Sequence, residues 1–350
     1  MRKKSAIGFF IICILVLSAT FYPVDAYITK PGGAYPLDPL VSVQGGDVDD
    51  VGTMSLMTIA LAKATPFTYA WAKLSDQQKI LETYQVRNPD ENDEEYNVRQ
   101  LHLMTQSQFN AIQVAYEKAG KPYEILSKGV FVLNVLPDGA AEGLLKAGDR
   151  ILQIDHVKSE NQQNLIDYLQ GKQLGDVITL EIERDEKYET IEVELKPIPS
   201  AENRAGLGIT FTEDKEITTT PLVNIGADEI GGPSAGLMFT LEILNQLMDE
   251  DITKGYDVAG TGTMQENGEV GRIGGIDLKV IAADKAGIEI FFAPDDVLPE
   301  EVLKSNPSLH SNYVDAKAEA EKIGTKMKIV PVKTVDDALA YLEKLEPKKN

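Results

Sequence analysis

Residues 230–236 read Ile230-Gly231-Gly232-Pro233-Ser234-Ala235-Gly236 and open onto Leu237-Met238-Phe239-Thr240-Leu241-Glu242-Ile243-Leu244-Asn245-Gln246-Leu247-Met248. Apolar residues at 237, 241, 244 and 248 recur at helical spacing, which predicts an amphipathic or buried helix. The glycines ahead of it permit tight turns and close approach by another chain segment, and Pro233 suits a helix start. Ser234 is thereby expected in the first helical turn, where unpaired backbone N–H groups and the positive end of the dipole stabilise an oxyanion. A hydroxyl there also serves as a plain cap, so a catalytic reading needs a base.

A base is offered 45 residues on. The run Arg272-Ile273-Gly274-Gly275-Ile276-Asp277-Leu278-Lys279-Val280-Ile281-Ala282-Ala283-Asp284-Lys285-Ala286-Gly287 reads as a turn followed by a short helix, with Asp277 as N-cap and Gly287 as the stop. Lys279 then falls in the first turn. The dipole disfavours a positive charge there, and burial adds desolvation; both push a lysine toward the neutral amine that can accept a proton. The competing reading is a solvated surface lysine.

Gly232-Pro233-Ser234-Ala235-Gly236 together with Gly274-Gly275-x-x-x-Lys279 resembles the Ser–Lys dyad of the Lon-type protease domain. Asp257-Val258-Ala259-Gly260-Thr261-Gly262-Thr263 resembles that family's strand whose threonine supports the lysine, a position taken by Thr261. The resemblance covers roughly the last 145 residues. It implies a serine endopeptidase with Ser234 as nucleophile, Lys279 as base, and Thr261 and Gly232 in support. One departure is Gly231, where the family usually carries an aspartate. Asp228 and Glu229 are read as solvated. A penicillin-recognising Ser-x-x-Lys site is excluded, because position 237 is leucine.

Length and charge bound the remaining classes. The 350 residues leave room for two or three domains, and a net charge of −21 with a pI near 4.6 argues against nucleic acid, which needs a basic face. Met1-Arg2-Lys3-Lys4 precedes an uncharged apolar run over about 6–24 that is long enough to span a bilayer. The positive-inside rule puts the bulk of the chain on the extracytoplasmic side of a single-pass cell-membrane protein. A cleaved signal segment ending near Val24-Asp25-Ala26 is the alternative within 1–25. Cys13, the lone cysteine, lies in that run, so the folded portion has no thiolate site and no intrachain disulfide. His102, His156 and His310 are scattered and form no metal motif. No metal and no cofactor is expected.

Residues 26–126 read as a juxtamembrane module without a site. It has a strand at 41–43, another strand segment at 52–64, a polar helix over 76–101, the acidic run 90–95 as a solvated turn, and a helix from 104 to 119. From about 127 to 198 the period changes to strands; a helix reads at 161–169, and Val177–Glu183 and Glu189–Leu195 then alternate as a hairpin. Within it, Leu145-x-x-Gly148-Asp149-x-Ile151-Leu152-x-Ile154 resembles a PDZ domain. The resemblance implies binding of an extended or C-terminal peptide beside a strand, assigned here to Lys128, Gly129, Val130 and Phe131.

Pro197-Ile198-Pro199-Ser200 reads as a linker, and the Lon-like domain is set at 204–347. There, strands at 288–294 and 327–332 alternate with helices at 313–323 and 335–345, an α/β (α+β) pattern beside a mainly β PDZ domain. The order of anchor, PDZ and Lon-like parts resembles the YlbL-type membrane proteases of Gram-positive bacteria. That resemblance implies an endopeptidase acting on protein or peptide substrates, with a homo-oligomeric ring left open. No G-x-x-x-x-G-K-[ST] occurs in the sequence, so ATP is not expected to take part. The alternative from another class is a membrane-tethered peptide-binding scaffold with an inactive Lon-like part.

Overall fold

The computed structural model describes residues 17, 19–47, 51–88, 91–198, 201–227, 230–248 and 250–348. The expected membrane segment lies mostly outside them, as do Asp228 and Glu229. Among the described residues no helix is long and apolar enough to cross a membrane.

The chain forms two compact units, and neither follows the sequence-based boundaries. The first gathers 1–39, 47–89 and 249–350; the second gathers 40–46 and 90–248. The expected module at 26–126 is therefore not a separate module, and the expected domain at 204–347 is divided between the two units. The physical reason is strand pairing, which joins distant segments.

In the first unit six strands form one sheet in the order Lys328–Val332, Ile290–Pro294, Asp257–Gly260, Thr53–Lys63, Ala26–Pro36 and Lys79–Glu82. Val258 lies parallel to both Met54 and Ile290, so the N-terminal strands complete a sheet begun by the C-terminal ones. The pairs nearer the N-terminal edge are antiparallel. Ile290–Pro294 is buried at every position, as expected of a parallel strand covered on both faces. The helices Ile276–Lys285 and Asn312–Ile323 supply Val280, Ala283, Ala316 and Ala320 to the core against Ala259 and Phe291. Of the polar helix expected over 76–101 only the part 93–101 forms, as the start of the helix Asp93–Lys118; before it the chain forms the strand Lys79–Glu82 and the short helix Thr83–Val86.

In the second unit the strands run in the order Ile209–Thr219, Tyr123–Val135, Arg150–Ile154, Val177–Arg184 and Lys187–Glu194. Alternating Ile178, Leu180 and Ile182 are fully buried against Ile151, Ile154 and Leu165, the last carried by helix Gln162–Gln170. The sequence places the end of this domain near 198, yet Ile209–Thr219 pairs with Tyr123–Val135 along its whole length. The described part of the expected linker is itself paired, Pro197 and Ile198 facing Ala205 and Ala201.

A long helix, Asp93–Lys118, begins where Asn92 accepts from the backbone of Glu94 and Glu95 while the Glu95 side chain accepts from Asn92. Its buried Met104, Ser107, Ala111 and Val114 share one face. Glu91, expected in a solvated turn, is buried and takes a two-pronged bond from Arg99 at 2.6 and 2.8 Å.

One ion pair ties the hairpin to the β-turn ahead of it. Asp149 has no exposed surface and receives Arg184 through Nε at 2.8 Å and Nη2 at 2.6 Å. Replacing Arg184 with Met would strand that carboxylate, an expected loss of about 3 kcal/mol. Urea unfolding of wild type and R184M checks this; an unchanged midpoint contradicts it.

Candidate functional site

The serine side is built in the second unit. The helix predicted from its apolar period runs Gly236–Leu247 and is buried through Gln246. It starts later than the sequence reading places it: Ala235 is the cap, and half-buried Ser234 stands in the turn just ahead. Gly232 has φ +87°, a left-handed conformation that a side chain disfavours. Its N–H donates to the Gln100 carbonyl at 2.9 Å, and the Ser107 hydroxyl donates to the Pro233 carbonyl at 2.9 Å. Two bonds from the long helix thus fix the backbone on the N-terminal side of Ser234. The departure at Gly231 has a counterpart here, since a Cβ at 231 would stand 3.1 Å from Gln100 Cβ.

Farther along the same helix, Gln246 accepts from the Val43 N–H at 2.9 Å and donates to the Val41 carbonyl at 3.0 Å and to Glu242 at 2.7 Å. Polar side chains inside this helix therefore satisfy the short strand Val41–Val43 rather than point to a second site.

The lysine side is built in the first unit. Gly275, with φ +68°, caps the helix Ile276–Lys285; Asp277, expected as the cap, lies inside the first turn and pairs with Lys79 at 2.7 Å. The predicted stop holds: Gly287 donates to the Asp284 carbonyl and Ile288 to the Ala283 carbonyl, a Schellman closure. Lys279 is 2% exposed, and its Nζ donates to Thr261 Oγ1 at 3.0 Å. Thr261 is itself fully buried just past the strand Asp257–Gly260, anchored by its N–H to the Phe292 carbonyl at 3.1 Å. Burial pushes the Lys279 amine down to about 7 from its ordinary 10.5, because the charged form loses its hydration. The structure brings Lys279 and Thr261 together in one unit, and Gly232 and Ser234 together in the other.

The four residues assigned to peptide binding do not form an open edge. Within Tyr123–Val135, Val130 and Phe131 are paired on both sides, Phe131 facing Thr212 on one and Arg150 on the other. Lys128 pairs with Glu216 at 3.1 Å, and the Phe131 ring stacks on His102 with centroids 4.6 Å apart. Gly129 lacks room for a side chain, since a Cβ would stand 2.6 Å from the Ile151 carbonyl oxygen.

Ile209–Thr219 is instead one edge strand of the sheet, opposite Lys187–Glu194. A cavity of about 80 Å³ lies between it and helix Gln162–Gln170, lined by Ile166, Leu169, Leu207, Ile209 and Phe211, with exposed Arg204 at its margin. Gln162 donates to the Phe211 carbonyl at 3.4 Å, joining helix and edge. The signal that finds this groove is Gly206-Leu207-Gly208-Ile209 before an alternating strand. Gly208 has φ +70°, and a Cβ there would stand 2.7 Å from Gly139 Cα, so glycine is required.

The description "PDZ domain" matches residues 108–195. The chain is 29% identical to a Lon protease of Xanthomonas oryzae over 206 residues, 58% of this chain and 21% of that protein. It is 28% identical to a Lon protease of Azospirillum brasilense over 60% of this chain and 22% of that one. This is a PDZ-containing, Lon-related protein. It spans about a fifth of the length of these curated relatives. Among solved structures, the PDZ domain of an SdrC-like protein from Listeria innocua is 34% identical, covering 24% of this chain and 93% of that one with a TM-score of 0.23. The PDZ match ends at 195, so the edge strand of the groove lies beyond it.

Lys279 makes stability depend on pH. Between about 7 and 10.5 the unfolded chain holds the lysine proton and the folded chain does not, so stability rises with pH across that window. Lys279→Met removes the penalty. Its melting temperature is expected above wild type at pH 6, with the advantage shrinking toward pH 10. Calorimetry across that range checks this, and a pH-independent difference contradicts it.

Proposed function

We propose that this PDZ-containing, Lon-related protein is an ATP-independent serine endopeptidase. In this reading Ser234 is the nucleophile and Lys279 its general base, and the bulk of the chain is extracytoplasmic behind an N-terminal membrane anchor. The observation that carries the proposal is the buried Lys279 amine, held by Thr261 and depressed to about 7, where a neutral amine exists at working pH. The Gly-Pro-Ser-Ala-Gly turn ahead of a buried helix supports Ser234. The Lon alignments add support, because they extend over more of the chain than the PDZ match does.

The chemistry is acyl transfer in two steps. The neutral Lys279 amine takes the Ser234 hydroxyl proton as Oγ adds to a peptide carbonyl. The oxyanion takes backbone donors from Ser234 and the start of helix Gly236–Leu247, because the Gly232 N–H is already given to Gln100. The Lys279 ammonium then protonates the leaving amine, and the C–N bond breaks to leave an ester on Ser234. Lys279 next takes a proton from water, whose oxygen adds to the ester; Ser234 leaves with that proton and the peptide acid departs. Thr261 positions the lysine.

The PDZ domain supports peptide binding, and the groove beside Ile209–Thr219 is the place proposed for it. An extended segment adds its backbone to that edge and seats an apolar side chain among Ile166, Leu207 and Phe211. The substrates are extended or unfolded protein segments.

Unfolded casein without ATP tests the peptidase. Cleavage is expected to fall at least ~10³-fold in both Ser234→Ala and Lys279→Met, and wild-type kcat/KM to rise with pH to a plateau above about 7. Full activity in Ser234→Ala would sink the assignment. Separately, Ile166→Glu is expected to weaken binding of a peptide with an apolar C-terminus at least ~10-fold by fluorescence anisotropy while casein cleavage persists. Equal binding by that variant would move the peptide site elsewhere.

A further inference from the structure

The short helix Pro66–Ala72 carries a second surface that the peptidase reading leaves unused. Thr65 caps it, exchanging bonds with Thr68, and Pro66 fits its first turn. One face is buried: Ala72 and Tyr69 pack with Ala26, Ile28 and Ala64. The opposite face presents Phe67 and Trp71 one helical turn apart, and Leu74 follows in the turn just past the helix end, where its N–H donates to the Trp71 carbonyl. They are 59%, 58% and 84% exposed. Three large apolar side chains in one exposed stripe need a covering surface.

Connectivity identifies that surface. The Val24 N–H donates to the Ala64 carbonyl at 2.8 Å, and the Ala64 N–H donates to the Ala26 carbonyl at 2.8 Å. The end of the apolar run 6–24 is therefore bonded to the residue two places before the stripe's helix. Thr83 donates to Asp25, which brings exposed Tyr84 to the same end. Phe21 and Tyr22, the last aromatics of the run, are themselves 74% and 70% exposed. Exposed aromatics thus cluster where a bilayer-length apolar segment enters the fold, the arrangement of an interfacial aromatic belt.

We propose that Phe67, Trp71 and Leu74 insert into the headgroup–acyl boundary of the lipid bilayer that holds the N-terminal run. This rests on the anchor reading. The stripe lies in the interface plane, its apolar side chains ~5–10 Å below the surface. It gives the first unit a second attachment beside the anchor and restricts its rotation about that single point. Because the chain carries a net charge of −21, the contact works by apolar burial and does not need anionic lipid.

Trp71 is the single tryptophan of the chain, so native emission reports the stripe without a label. The full chain is reconstituted into phosphatidylcholine vesicles. Co-flotation is measured together with quenching by lipids brominated near the headgroup or near the chain end, and by aqueous acrylamide. The expected result is co-flotation, a shift of emission to shorter wavelength, and stronger quenching by the shallow bromolipid than by the deep one. Phe67→Ser with Leu74→Ser changes two exposed side chains and leaves the core intact. It is expected to keep co-flotation and lose most of the bromolipid quenching. Co-flotation with Trp71 quenched by acrylamide alone overturns the stripe's role and leaves the anchor standing. Failure to co-float overturns the anchor and the stripe together.

Discussion

A lysine amine with almost no contact with water is the constraint on which the first unit depends. An ammonium there loses its water, so burial lowers the Lys279 amine to about 7 and the fold gives its nitrogen a buried hydroxyl, Thr261 Oγ1. That hydroxyl is useful only if it is fixed. Thr261 follows the strand Asp257–Gly260, and its N–H is tied to Phe292 on the neighbouring strand. Lys279 is fixed from the other side by a helix closed at Gly275 and at Gly287. Helix, strand and buried amine are therefore one arrangement. Losing the register of the sheet would remove the partner of the amine.

That register is not made by neighbours in sequence. Met54 and Ile290 lie on either side of Val258, and the stretch from 90 to 248 intervenes in the chain between the two halves of the sheet. Closing such a loop costs entropy that grows only slowly with its length, provided the inserted stretch is compact on its own. The second unit meets that condition with a separate core around Val130, Ile151, Ile178 and Leu180 and a buried carboxylate satisfied by Arg184.

Within the second unit the long helix Asp93–Lys118 has two kinds of partner. Gln100 and Ser107 hold the backbone of Gly232 and Pro233, while His102 stacks on Phe131 of the central strand. The backbone before Ser234 is therefore set by contacts made more than a hundred residues away. The Gly232 N–H is engaged by the same contacts.

The sequence by itself determined the elements whose signals are local. The apolar period after Ser234, the glycine stop at 287, the alternating hairpin at 177–194 and the Leu-x-x-Gly-Asp turn are all where propensity and period place them. Thr261 and Lys279 were named by the resemblance to the Lon-type motifs, and the structure places them in hydrogen-bond contact. Tertiary structure alone decided which strands share a sheet, and so that 26–82 belongs with 257–332. It also decided which edge is open. A strand's side chains alternate in the same way whether one or both of its backbone edges are paired, so the sequence does not show that Val130 and Phe131 are paired on both sides while Ile209–Thr219 is an edge strand. Burial of Lys279 is likewise a tertiary result. A lysine's charge is written in the sequence, but the loss of its water is set by what packs around it.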